Sequence, residues 1–160
     1  MHSRIFQISK KPVEDRISED RYYNGFVGRI ADYVDELDTG GQLESIRWLA
    51  KATPGIRVKD AGDATATMTI VDKKAYFAGK FEEFENALRE LGKATLEQFS
   101  ADDRNLDYRM WLLKEAYEET CAFYVDDYDE EFGLLTFDKF MREADEGSVW
   151  YIGTVIDYHW

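Results

Sequence analysis

Cysteine is nearly absent from this chain: Cys121 is the only one in 160 residues. One thiol cannot close an internal disulfide or build a cysteine zinc cluster. It sits in the apolar run from Thr120 to Val125, where it reads as a small hydrophobe. Histidine is as scarce, with His2 and His159 at opposite ends of the chain. No window approaches the roughly 18 uninterrupted apolar residues of a membrane span. The opening residues MHSRIFQISKKPVEDR carry charges throughout and lack the apolar stretch of a signal peptide. The expectation is a cytoplasmic protein. Positive charge is also short, with 20 Lys and Arg against 33 Asp and Glu, a net charge of −13. Such a chain repels nucleic acid and anionic membrane at long range. Lys10-Lys11, Lys73-Lys74 and Arg104 with Arg109 are too scattered to form a local basic patch. Direct nucleic-acid and membrane binding are therefore not expected, and a basic protein is the partner that the charge favours.

Aromatic residues, by contrast, are abundant: ten Tyr, ten Phe and four Trp. Disordered chains lack that apolar payload. A chain of this length buries roughly 70% of its unfolded surface, enough for a core without disulfide or metal. No repeat or linker divides it, so residues 1–160 are expected to form one domain.

Hydrophobic periodicity places the elements. Ser3 to Ile8 reads as a first strand, and Ser18 as the cap of a helical turn. Ile30, Tyr33, Val34 and Leu37 have the spacing of a short amphipathic helix, followed by a break at Thr39-Gly40-Gly41 and a helix from Gln42 to Ala52. Residues 56–71 read as a hairpin, because Thr and apolar residues alternate in its second arm. Asp72 caps the clearest helix, Lys73 to Leu91, whose Phe77, Phe81, Phe84, Leu88 and Leu91 predict a core-facing stripe, with Gly92 as terminator. Thr95 and Gln98 have capping-box spacing. A second long helix runs to about Glu118 with Leu106, Met110, Leu113 and Tyr117 inward. Residues 120–125 read as a strand, 126–133 as an acidic loop, and Thr136 to Ala144 as a helix. Ser148 to Tyr158 is a long strand, apolar on one face and therefore central. Strands and helices that do not alternate strictly predict an α+β fold with a mainly antiparallel sheet.

No local catalytic motif stands up. Asp38-Thr39-Gly40 has the letters of the aspartic-protease signature, but that chemistry needs two such carboxylates and only one copy exists. Ala78-Gly79-Lys80 lacks the upstream glycine of a phosphate loop. Asp157 and His159 share a strand face, half of a triad with no nucleophile motif to complete it. Glu82, Glu83, Glu85 and Glu90 read as the wet face of the long helix.

The strongest anomaly is the stretch from Glu118 to Glu131. Glu118, Glu119, Asp126, Asp127, Asp129, Glu130 and Glu131 fall there with no Lys or Arg. A calcium loop starting at Asp127 fails, because the sixth position is Phe132 and the twelfth is Asp138. No metal or cofactor is expected. With Tyr128 among them, these acids are the candidate surface for a basic partner, since aromatics beside charge are common in binding hot spots. The leading expectation is a non-enzymatic interaction protein, with nucleic-acid mimicry as its sharper form. The alternatives are an acid–base hydrolase assembled from scattered carboxylates and Tyr, and a small-molecule binding module using the aromatics.

Overall fold

The computed structural model describes residues 1–61, 66–119, 122–128 and 132–160. Among the described residues seven strands make one sheet: β1 (His2–Ser9), β2 (Tyr33–Glu36), β3 (Ile56–Asp60), β4 (Ala66–Ile70), β5 (Tyr124–Asp127), β6 (Gly133–Thr136) and β7 (Val149–His159). Its order is β3-β4-β7-β1-β5-β6, with β2 also on β7. Only the β1–β5 pair is parallel. The long β7 is central, as its apolar run predicts. β4 pairs with its first half and β2 with its second, while β1 takes the other edge. The helices are α1 (Thr39–Ala52), α2 (Lys73–Leu91), α3 (Leu96–Ser100), α4 (Arg104–Tyr117) and α5 (Phe137–Glu143), with a 3-10 turn at Glu19–Tyr22. The fold is α+β, as the order of elements predicts.

Two cores lie on the two faces of the sheet. Phe6, Ile8, Trp150, Ile152 and Val155 pack with Ile46 and Leu49 of α1, Tyr76 of α2 and Phe137, Phe140 and Met141 of α5. Ile5, Ile156 and Tyr158 pack with Ile17, Tyr22, Phe26 and Val34. Strict alternation along β7 would put Ile152 and Ile156 on one face. A β-bulge prevents it: Phe6 pairs with Val155 but Ile8 with Ile152, so β7 carries one extra residue. The buried Gln7 amide fills the irregularity. Its Oε1 accepts from the backbone of Thr154 (3.0 Å) and Ile17 (3.3 Å), and its Nε2 donates to the Asp15 carbonyl (2.7 Å). Gly153 is required beside it, because a Cβ there would overlap the Gln7 carboxamide and lie 2.8 Å from Val13.

Four local expectations fail for tertiary reasons. The stretch 126–133, expected as a loop, starts and ends in strand: β5 continues to Asp127 and β6 begins at Gly133, because the two pair with each other. Residues 33–36 are strand β2 rather than helix, since pairing with β7 satisfies their backbone and buries Val34. The Thr39-Gly40-Gly41 segment opens α1 rather than breaking the chain: Asp38 is the N-cap and accepts from Gly41 N at 2.7 Å. The stripe on α2 is not core. Tyr76 is the only buried residue of that helix and α4 has none. After its first turn α2 leaves the sheet and packs against α4, so the two helices form an arm. The caps themselves are as expected, including Asp72 on Ala75 N (2.9 Å) and the Thr95–Gln98 box.

Candidate functional site

The acidic stretch does not form one surface in the described residues. Asp126 and Asp127 lie in β5 and are 0% and 1% exposed. Arg21 holds Asp126 through Nε (2.7 Å) and Nη2 (3.2 Å), and the Tyr22 hydroxyl donates to it at 3.0 Å. Asp127 accepts from Phe132 N at 3.2 Å. Glu118 is half-buried and accepts from the Thr136 hydroxyl at 2.9 Å. Glu119 and Tyr128 are exposed, with the Arg21 guanidinium over the Tyr128 ring. Asp129, Glu130 and Glu131 lie outside the described residues, as does Cys121. Glu119 instead joins three glutamates of the long helices, Glu83, Glu90 and Glu115.

These four line a cleft of about 1130 Å³ between the arm and the body. On α2 it is lined by Ala75, Gly79, Glu83, Asn86, Ala87 and Glu90; on α4 and just beyond by Arg109, Trp111, Leu112, Glu115, Ala116 and Glu119; on the body by Met1, Pro54 and Trp160. Small residues on both helices make the floor. Four glutamates against Lys80 and Arg109 leave it net negative. Trp111 is 51% exposed and stacks on Tyr108 at 5.7 Å. The cleft thus joins an aromatic wall to an acidic rim.

A buried polar cluster anchors the base of the arm. Asp138 of α5, 1% exposed, accepts from the Tyr76 hydroxyl (2.7 Å), Lys80 Nζ (3.2 Å) and Glu119 N (3.1 Å). Lys80 also reaches Glu119 Oε2 at 3.1 Å. Beside it, Lys73 Nζ donates to the Arg142 carbonyl in the last turn of α5 (2.6 Å) and to the carbonyl of its C-cap Ala144 (2.8 Å). Burial, then the Asp138 charge and hydrogen bond, push the Tyr76 phenol well above its ordinary range. Burial alone would lower the Lys80 ammonium, but Asp138 and Glu119 together outweigh it and raise it. Both side chains therefore keep their protons at neutral pH. The cluster holds α2 to α5 and to the chain after α4, and ties the two helices together at their root.

The remaining candidates separate. Asp157 meets His2 Nδ1 (2.8 Å) and Arg4 and not His159, which lies 3.4 Å from Asp32 and stacks on Tyr33 at 5.2 Å. The two histidine rings are adjacent, at 5.1 Å. Among the described residues, no group of three or more His, Cys, Asp or Glu is placed to hold a metal ion, and no helix is long and apolar enough to cross a membrane. Sequence reasoning passes over the cleft because its walls come from two helices far apart in the chain. The one readable signal is the i, i+4 pair Tyr76 and Lys80, which puts a phenol and an ammonium on one helical face. No protein-family model, curated protein or solved structure matches the chain.

Proposed function

We propose that this chain is a non-enzymatic protein-interaction module that receives a basic, amphipathic segment of a partner protein in the cleft beside the arm. The observation that carries the reading is the lining itself: Trp111 and Leu112 offer apolar contact, and Glu83, Glu90, Glu115 and Glu119 surround it with negative charge. A helix with an apolar face and Lys or Arg flanks matches both features. The net charge of −13 would draw such a segment in from a distance. The setting proposed is cytoplasmic.

Nucleic-acid mimicry has less support, because it needs a convex row of carboxylates, whereas Asp126 and Asp127 face inward and the cleft is concave. The acid–base hydrolase has less support as well: Tyr76 and Lys80, which also line the cleft, are both shifted toward keeping their protons. A small-molecule module fits an enclosed apolar wall better than one lined by four carboxylates.

The test is fluorescence anisotropy with a labelled amphipathic Leu/Lys helical peptide. Binding is expected to weaken with salt, since exposed charges are screened over about 10 Å at 0.1 M ionic strength. Trp111→Ala should weaken it by roughly tenfold or more, as loss of an aromatic anchor does. Glu83→Gln with Glu115→Gln should weaken it, while Glu14→Gln with Glu143→Gln, the same charge change elsewhere, should not. Equal losses from both pairs would show that the peptide reads net charge alone and would sink the cleft.

A further inference from the structure

The side of the arm turned away from the cleft carries an apolar stripe. Phe81, Leu88, Met110 and Tyr117 are 58%, 51%, 57% and 54% exposed. At 3.6 residues per turn, Phe81 and Leu88 share a stripe with Phe77 and Phe84 on α2, and Met110 and Tyr117 share one on α4. Phe84 meets Phe81 at 6.5 Å and Tyr117 at 6.3 Å, which joins the two stripes into one face. Phe77, Phe81, Phe84 and Tyr117 also line a hollow of about 270 Å³ on this side, together with Lys80 and Ala116, which the cleft shares, and Arg142, whose guanidinium lies over the Phe77 and Tyr117 rings at 4.9 and 4.2 Å.

We propose that this face seats the same face of a second copy of the chain, with the two arms side by side in the same direction, closing a four-helix bundle. Three observations select that occupant. First, α4 runs for 14 residues packed on α2, yet no side chain of it is buried. A two-helix hairpin has no enclosed core of its own, and a second hairpin supplies the missing layer. Second, the area sets the strength. Four half-exposed large side chains contribute on the order of 400 Å², given about 150–250 Å² for an aromatic residue. That is about half of the roughly 800 Å² per partner of a standard stable interface, which suits a weak, concentration-dependent dimer.

Third, the edges are self-complementary. The Phe84–Tyr117 contact and the Arg109 bond to the Glu90 carbonyl (3.4 Å) fix the antiparallel register of α2 and α4. In that register Glu85 and Lys114 are nearly level, one on each outer edge of the apolar face. A two-fold axis along the arms lays α2 of one copy over α4 of the other. Glu85 then meets Lys114 of the second copy, and symmetry repeats the pair. Arms pointing in opposite directions lose this match.

Sedimentation equilibrium of the full chain across the micromolar range tests the proposal. Wild type should reach a closed dimer, and high salt should strengthen it by screening the repulsion of two acidic bodies. Phe81→Glu should be monomeric with unchanged far-ultraviolet circular dichroism. Because that variant could fold poorly, the exposed pair gives a second arm. Glu85→Lys and Lys114→Glu should each weaken the dimer by about tenfold, and the double reversal should restore it. A monomeric wild type at both salt concentrations, assembly that continues past two copies, or a double reversal no tighter than the single variants would overturn the proposal. It does not rest on the cleft: monomeric Phe81→Glu should still bind the Leu/Lys peptide, and salt should act on the two equilibria in opposite directions.

Discussion

Asp138→Ala should destabilise the protein by about 2–4 kcal/mol. The carboxylate is buried and accepts from Tyr76, Lys80 and the Glu119 amide. Removing it leaves three donors without that acceptor. Each net hydrogen bond contributes about 1 kcal/mol and bonds to charge somewhat more. A fully buried broken ion pair would cost about 3–5 kcal/mol. The Lys80 side chain is 26% exposed and keeps Glu119, so it can turn toward water, which lowers the expected total. For a chain of this size the melting temperature should fall by roughly 5–15 °C. Tyr76→Phe should cost about 1 kcal/mol, and the double variant should show coupling of roughly 1 kcal/mol between the two sites. Thermal melts measure the losses. Hydrogen exchange should also show residues 73–119 exchanging faster in Asp138→Ala, because the cluster ties the arm to α5. An unchanged melting temperature, or faster exchange spread evenly over the sheet, would refute the reasoning.

Alkaline pH should weaken the fold. Tyr76, Tyr22 and Lys80 all hold protons more tightly when folded, Tyr22 through burial and then Asp126. The stability they add is present below the ordinary values of 10.0 for Tyr and 10.5 for Lys and is lost as pH rises beyond them, because the unfolded chain then releases protons first. Melts between pH 8 and pH 11 should therefore fall steeply above about pH 10, and a flat profile would contradict the burial of these groups. Gly153→Ala should cost about 2–4 kcal/mol by displacing the Gln7 amide from the bulge; denaturant unfolding measures it, and a change within about 0.5 kcal/mol would refute the clash. In the peptide titration, Trp111→Ala should lose more affinity than Tyr128→Ala, since Tyr128 lies outside the cleft.

The sequence carried the caps and the strands β1, β3, β4 and β7 well because those signals are local, while β2 and β6 were missed. Asp72, Thr95 and Thr136 cap where their side chains can reach the next free amides, and β7 is central because its apolar residues are continuous. Residues 33–36 were not legible, since the pairing that makes them a strand comes from residues 156–159. Parity along β7 was hidden by a bulge that depends on Gln7, distant in sequence. The Phe stripe of α2 gave the correct helix and the wrong destination, because periodicity says that a face is apolar without saying what covers it. The acidic stretch failed as a surface map for a related reason. Asp126 and Asp127 read as loop carboxylates, but Arg21, Tyr22 and the Phe132 amide supply partners that let them stay inside the sheet. The cleft combines α2, α4 and both chain ends, so no window of the sequence contains it.

The central claim is that the cleft, rather than the acidic surface at large, holds a basic partner segment. Hydrogen exchange with and without the Leu/Lys peptide tests it most directly. The account predicts new protection confined to residues 75–90 and 109–119. Protection centred on Tyr128 and the chain around it, or spread evenly over the acidic surface, would contradict it.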